Sequence, residues 1–136
     1  MTRLGIVNIV LFIFSALPAH ARYVDNGGLI GGYVERIVGS SGEMHRIQGD
    51  CVSACTMWLG HKPVCVYPDT VLWFHGAVDS SGHISKIGNI ALMAFYPKAL
   101  KAYLISHHWL QSAQLHSISG LGMLRFGIPL CRGVSQ

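Results

Sequence analysis

Charged side chains are scarce in this chain of 136 residues, because Asp, Glu, Lys and Arg together make up only 12% of it. The ten basic residues stand singly or in loose pairs such as Lys98 and Lys101. Binding to DNA or RNA uses a patch of clustered Lys and Arg that faces the phosphates. The sequence therefore predicts no nucleic-acid partner, and we interpret its basic residues as part of a solvated surface.

Acidic residues are absent from the C-terminal part of the sequence, since no Asp or Glu follows Asp79. The chain also lacks internal repeats, low-complexity segments and the C-x-x-C-H motif that attaches haem covalently. Its length allows one hydrophobic core and leaves no room for a second. These absences predict a single domain without a cofactor.

Only the N-terminus carries a long hydrophobic run. Arg3 precedes an apolar segment over residues 4–17, and A-H-A at 19–21 has the A-x-A form of a signal-peptidase site. The alternative is a membrane anchor, but Pro18 ends the run before the ~20 apolar residues that a spanning helix needs. We predict a signal peptide over residues 1–21, export to the periplasm or outside the cell, and no membrane association after cleavage.

The predicted mature domain, residues 22–136, carries nine basic against six acidic residues and contains all four cysteines: Cys51, Cys55, Cys65 and Cys131. An exported chain meets an oxidising compartment, in which an even number of cysteines favours disulfides. Four cysteines allow three pairings. The number of cysteines does not choose among these three pairings.

Two patterns suggest metal ligands, but both are weak. Cys51 and Cys55 have near-ligand spacing, yet no second C-x-x-C or H-x-x-x-H follows at zinc-finger spacing. His107 and His108 are adjacent and point to different faces of a helix, and neither they nor His116 have a carboxylate nearby in sequence. We predict no metal site.

Apolar residues alternate between extended and helical spacing along the mature chain. This alternation predicts an α/β fold with a mainly parallel, buried sheet. We expect strands over 22–24, 44–48, 64–67 and 71–74, and helices over 30–37, 54–59, 84–108 (divided at Pro97) and 119–126.

Ser53 lies where a strand end meets a short apolar helix that closes at Gly60. A hydroxyl at this boundary commonly caps the helix by accepting a backbone N–H. Alternatively, it is a nucleophile held near backbone amides that stabilise an oxyanion. His75, which closes the apolar strand 71–74, has two readings as well: a hydrogen-bonded core histidine, or a general base exposed at the sheet edge.

The order of these parts resembles the Clp protease proteolytic subunit and its crotonase-like relatives, especially short exported proteins with the pattern G-x-C-x-S-A-C-T, then a proline, then F-H-G. The resemblance covers nearly the whole mature chain. Its matching segments are D-N-G-G at 25–28, G-D-C-V-S-A-C-T at 49–56, C-V-Y-P at 65–68, F-H-G at 74–76, Y-P at 96–97, I-S-G at 118–120 and F-G-I-P-L-C at 126–131.

The resemblance implies a role for each matching residue. Ser53 corresponds to the nucleophile and His75 to the general base, whereas Gly27 or Gly28, with the Ala54 amide, corresponds to the oxyanion hole. It also implies a small ClpP/crotonase-like layered fold, a peptide or other acyl substrate, and assembly into a homo-oligomer.

The sequence departs from the family in two ways. Clp peptidases carry an acidic third residue where this chain has Leu115, and the mature chain is shorter because it lacks the leading strand-helix units. An acid for His75 would have to come from one of six residues, none at the family's position: Asp25, Glu35, Glu43, Asp50, Asp69 or Asp79.

The resemblance also bears on the cysteines, because it places Cys65 and Cys131 in one small core and so implies that they pair. Cys51 and Cys55 would then form a second bridge around Ser53. Two functions follow as hypotheses: an exported serine hydrolase with a Ser53/His75 dyad, or a catalytically inactive binding or assembly module stabilised by the disulfides.

Overall fold

The computed structural model describes residues 21–133. The predicted signal peptide, apart from Ala21, lies outside these residues. No described helix is long and apolar enough to cross a membrane. The described elements are strands β1 (Val24–Asp25), β2 (His45–Ile47), β3 (Asp50–Val52), β4 (Val64–Val66), β5 (Val71–Phe74) and β6 (His116–Ser119), helices α1 (Ile30–Gly39), α2 (Lys86–Ala94) and α3 (Lys98–Ser106), and 3₁₀ helices Ser53–Gly60 and Leu121–Phe126.

Four strands form one sheet in the order β1-β3-β5-β6, and β2 pairs with β4 in a second, two-stranded sheet. All pairs are parallel except β5 with β6, which is antiparallel. The molecule is therefore a mixed α/β protein with a mainly parallel sheet packed by helices, as the alternating pattern predicts. The strands are divided between two sheets, because β2 and β4 pair only with each other among the described strands.

Strands β3 and β6 were not predicted. β3 directly precedes the 3₁₀ helix Ser53–Gly60, which lies where the sequence predicts a short buried helix over 54–59. Residues 116–119 form β6, whereas the expected helix over 119–126 begins only at Leu121. Strand β6 has a weak sequence signal because Ile118 is its only buried residue, so the alternation typical of a half-buried strand spans a single apolar position.

The core lies between the sheets and one face of each helix. Helical spacing puts Tyr33 and Ile37 of α1, and Leu100 and Leu104 of α3, on their buried faces. Strand β5 carries the two largest apolar contributions of the central sheet, Leu72 and Phe74, which are almost fully buried. The position of the residue after Phe74, His75, is therefore fixed by a strand that is anchored in the core.

Two disulfides are present, Cys51–Cys55 and Cys65–Cys131, and the described residues include no free cysteine. These are the two pairs that the family resemblance implies. The long-range bridge belongs to a small separate cluster with Tyr67, where the chain end also pairs with β4 through a parallel bridge between Val66 and Leu130. The disulfides agree with the expected oxidising compartment.

His45, on β2, is predicted to make the fold sensitive to acid. Its ring stacks on Trp58 at a centroid distance of 3.6 Å. Burial, followed by the nearby charge of His61, lowers the pKa of His45 from 6.5 to about 4. Between pH 6.5 and 4 the unfolded chain therefore binds a proton that the folded chain does not, and stability falls as the pH falls through this window.

We expect the free energy of unfolding to drop by about 1–2 kcal/mol across that window, less than the full shift implies because His45 is partly exposed to solvent. Urea denaturation at several pH values measures this drop. His45→Phe keeps an aromatic ring against Trp58 but removes the titrating group, so its curve should be flatter between pH 6.5 and 4. Equal acid slopes in the two proteins would contradict the assignment.

Candidate active site

Ser53 adopts a backbone conformation that is rare for a residue with a side chain. Its φ is +57°, in the left-handed region, directly after β3. Such a conformation costs about 1–2 kcal/mol and persists only where the surroundings hold it. Val52, not Ser53, is the N-cap residue of the 3₁₀ helix, and no side chain caps this helix. The capping role considered for Ser53 is therefore not what the structure shows.

Two features on the C-terminal side of the turn hold Ser53 in place. The Cys51–Cys55 disulfide closes a loop around it. The Thr56 hydroxyl donates to the Ser53 carbonyl at 2.6 Å, so the Tyr96 hydroxyl must be the donor in its 2.6 Å contact with Thr56. Thr56 and Tyr96 are buried, and burial raises the pKa of Tyr96, which keeps its hydroxyl protonated as the start of this chain of hydrogen bonds.

Gly27 approaches the same turn from the other side. A Cβ atom at this position would lie 2.5 Å from the Val52 carbonyl oxygen and 3.1 Å from the Ser53 Cβ, and the φ of Gly27 is +79°. Only glycine fits this close approach and this backbone conformation. The D-N-G-G segment thus packs directly on the Ser53 turn.

Ser53 and His75 line the same cavity. It has a volume of about 230 Å³, and its other lining residues are Gly28, Leu29, Ile30, Ala77, Val78, Ser85, Gly88 and Leu92. No described Asp, Glu, Lys or Arg is among them. The cavity is therefore an uncharged, largely apolar recess with one hydroxyl of unusual backbone geometry and one imidazole. No hydrogen bond joins Ser53 to His75 in the described structure.

The imidazole of His75 is oriented by a backbone carbonyl. His75 Nδ1 lies 2.7 Å from the Gly76 oxygen, and because a carbonyl only accepts, Nδ1 carries the proton. The neutral ring then has its lone pair on Nε2, the nitrogen that a general base uses in a serine hydrolase. A carboxylate normally fixes this tautomer. Here the Gly76 carbonyl fixes the tautomer in place of a carboxylate.

Gly76 is itself held firmly. Its N–H donates to the Ser112 carbonyl at 2.8 Å, and a Cβ at Gly76 would lie 2.5 Å from the Leu110 oxygen. The loop after α3 therefore packs directly against the F-H-G segment. The backbone that positions His75 is fixed by contacts from residues that are distant in sequence.

Asn89 is a supporting residue that sequence reasoning missed. Its side chain accepts a hydrogen bond from the Ala77 N–H at 2.7 Å and donates one to the Leu110 carbonyl at 2.8 Å. It thereby joins α2 to the segment after His75 and to the loop after α3. A single Asn within an amphipathic helix gives no sequence signal of this role.

The expected oxyanion hole is only partly available. The Gly27 N–H donates to the Asp25 carboxylate at 3.0 Å, so it is occupied. Ala54 is 1% exposed and does not line the cavity. Gly28 does line it, and its N–H has no hydrogen-bond partner among the described residues. Of the three expected donors, Gly28 is therefore the one best placed to meet a substrate.

No acidic residue lines the Ser53 cavity in the described structure. Among the six acids, Asp25 accepts from Gly27 and Tyr33, Asp50 pairs with Arg22, and Asp79 accepts from its own turn. The position expected for the acid, Leu115, is 48% exposed. The missing carboxylate predicted from the sequence is therefore also missing from the described site.

Other parts of the molecule hold neither the candidate nucleophile nor the base. A larger groove of about 930 Å³ is lined mostly by apolar residues, including Leu59, Phe95 and Phe126. The described residues contain no group of three His, Cys, Asp or Glu side chains arranged to hold a metal ion. His107 and His116 instead pack against aromatic rings, on Tyr103 and Trp109 respectively.

No family model, no curated protein and no solved structure matches this chain.

Proposed function

We propose that this protein is an exported serine hydrolase of the Clp/crotonase type, which cleaves a peptide or another acyl substrate with a Ser53/His75 dyad. The observation that carries the proposal is the pairing of a strained Ser53 with a tautomerically defined His75 on the wall of one cavity. Residues held in strained backbone conformations are concentrated at functional sites.

In the proposed reaction, His75 Nε2 accepts the Ser53 hydroxyl proton as Oγ attacks the acyl carbon. The resulting oxyanion is met by the Gly28 N–H. The imidazolium then returns the proton to the departing amine or alcohol, which leaves an acyl-enzyme on Ser53. Water, deprotonated by the same imidazole, attacks the acyl carbon and releases the acid, and Ser53 recovers its proton.

The Ser53–His75 hydrogen bond forms in this proposal when substrate enters the cavity, since catalytic hydrogen bonds often tighten only in the complex. The Gly76 carbonyl carries no full charge and stabilises the imidazolium less than an Asp would. We therefore expect a slower enzyme than one with a complete triad.

The second candidate is a catalytically inactive binding or assembly module of the same type. It is favoured by the lack of a carboxylate at His75 and by the occupied N–H of Gly27. In this case the two disulfides and the Gly27 contact serve only to hold the fold. We expect a homo-oligomer under either candidate function.

A fluorophosphonate probe tests the choice, because it labels only an activated serine. The purified protein with both disulfides intact should be labelled at Ser53, and Ser53→Ala should lose all labelling. Ser85→Ala is the matched control, since Ser85 lines the same cavity but accepts a hydrogen bond as the N-cap of α2. Labelling at Ser85, or none under conditions that label a known hydrolase, would leave the module as the better candidate.

A further inference from the structure

A second, basic cavity lies at the other end of α1. It has a volume of about 230 Å³, and its lining includes Asp25, Arg36, His45, Arg46, Cys55 and Trp58. Ile30 lines the Ser53 cavity and Arg36 lines this one, which separates them by about 9 Å along the helix axis. Both cavities touch the turn closed by the Cys51–Cys55 disulfide.

The two arginines in this basic cavity are not neutralised by the protein. The Arg46 guanidinium has no hydrogen bond or ion pair with any described residue. Arg36 lies 4.0 Å above the Tyr33 ring, makes a long contact of 3.4 Å from Nε to the Gly32 oxygen, and interacts with the Tyr33 hydroxyl. Neither arginine has a carboxylate within ion-pair distance in the described structure, whereas Arg22 pairs with Asp50 at 2.9 Å.

The one carboxylate that lines the basic cavity is engaged elsewhere. Asp25 accepts from the Gly27 N–H and from the Tyr33 hydroxyl through the same oxygen. It offsets part of the positive charge, and the lining retains a net charge of about +1 with neither guanidinium group in an ion pair among the described residues. An unpaired arginine fork is suited to bind the oxygens of a phosphate or carboxylate.

His45 adds a neutral hydrogen-bond donor to the wall. Its ring is held by stacking on Trp58, and its nitrogens have no partner among the described residues. Every side-chain nitrogen or oxygen that is shielded from solvent in the described structure has a hydrogen-bond partner. The ring nitrogens of His45 have none, so they are exposed to solvent or to the cavity. A neutral imidazole there can donate an N–H to an anion.

We propose that this basic cavity binds the phosphate or carboxylate group of a small molecule, held by Arg36, Arg46 and the His45 ring. The ring stack on Trp58 and the Tyr33 face beneath Arg36 hold two of the three groups in position before the anion arrives, which reduces the ordering cost of binding. The proposal is independent of hydrolysis at Ser53.

Calorimetric titration with sodium phosphate and, separately, sodium acetate tests the proposal in low-chloride buffer at pH 7, with both disulfides intact. We expect saturable binding of at least one anion, and about tenfold weaker binding by Arg46→Gln, since one charge-assisted contact is lost. Tighter binding of phosphate assigns the site to a phosphorylated ligand, and equal or tighter binding of acetate assigns it to a carboxylic acid.

Arg125→Gln is the matched control, because Arg125 also lies over aromatic rings, those of Tyr103 and Phe126, but does not line the basic cavity. It should bind the anion as the parent does. A second readout is the NMR titration of the His45 ring, whose pKa should rise from about 4 when the anion is bound. The anion would act in the same direction as Asp25, which raises this pKa, and against His61 and Arg36, which lower it.

Three results would overturn the proposal: no saturable binding of either anion, unchanged binding by Arg46→Gln, or equal weakening by Arg125→Gln. Arg46 is exposed and has no partner, so its substitution should leave the melting temperature unchanged. The test therefore does not depend on Arg36→Gln, which also loses the contact with Tyr33.

Discussion

Replacing His75 by Asn should reduce the rate of fluorophosphonate labelling at Ser53 by about 10²–10⁴-fold, the usual contribution of a general base. Asn is the informative substitution because its side-chain N–H can still donate to the Gly76 carbonyl, as His75 Nδ1 does at 2.7 Å. It has no nitrogen lone pair to accept the Ser53 proton. The labelling rate should therefore collapse while the melting temperature stays close to that of the parent.

The pH profile of labelling separates this role from a structural one. In the parent, the rate should fall in acid, because a protonated imidazole cannot accept the hydroxyl proton. In His75→Asn the remaining slow labelling should lose this acid limb. His83→Ala is the matched control, since His83 is exposed and does not line the cavity. A His75→Asn protein that labels at the parental rate would rule out the dyad.

Removing the Cys65–Cys131 disulfide should have the largest effect on stability. The bridge joins residues 66 positions apart, so it constrains most of the unfolded domain. In the chain-entropy model a loop of this length contributes about 4 kcal/mol. We expect Cys65→Ala with Cys131→Ala to lower the free energy of unfolding by about this amount, as measured by guanidinium denaturation.

The other disulfide provides the matched comparison. Cys51 and Cys55 are only four positions apart, so Cys51→Ala with Cys55→Ala should cost about half as much through chain entropy. This bridge surrounds Ser53, and its loss should slow labelling at Ser53 as well. Losses of stability that are equal for the two double variants would contradict an origin in loop length.

Most of the helices and strand β5 were predictable because their signals are local. The apolar spacing of α1, the division of α2 from α3 at Pro97 and the β-branched run of β5 each follow from the residues themselves. β6 was not predictable, because its pairing with β5 buries a single residue and depends on the loop that returns after α3. The split into two sheets also depends on partners that sequence spacing does not specify.

The candidate site shows the same division. Position alone left Ser53 as a helix cap or a nucleophile and His75 as a core residue or a base, and the family resemblance was what nominated them, with the glycine pair, as site residues. It was not enough to find the Gly76 carbonyl on His75 or the occupied N–H of Gly27. In each of these hydrogen bonds one partner is a backbone group, the Gly76 carbonyl or the Gly27 N–H, and any residue type offers the same backbone groups.

The class of the fold, the scarcity of charge and the lack of an acid after Asp79 all follow from composition and short-range pattern, so they can be read from the residues in order. Which groups line the same cavity depends on the folded chain: Ser53 and His75 line an uncharged cavity, and Arg36 and Arg46 line a basic one. Each cavity is assembled from separate segments of the chain. Their mutual distances are set by core packing and strand pairing, which no single segment encodes.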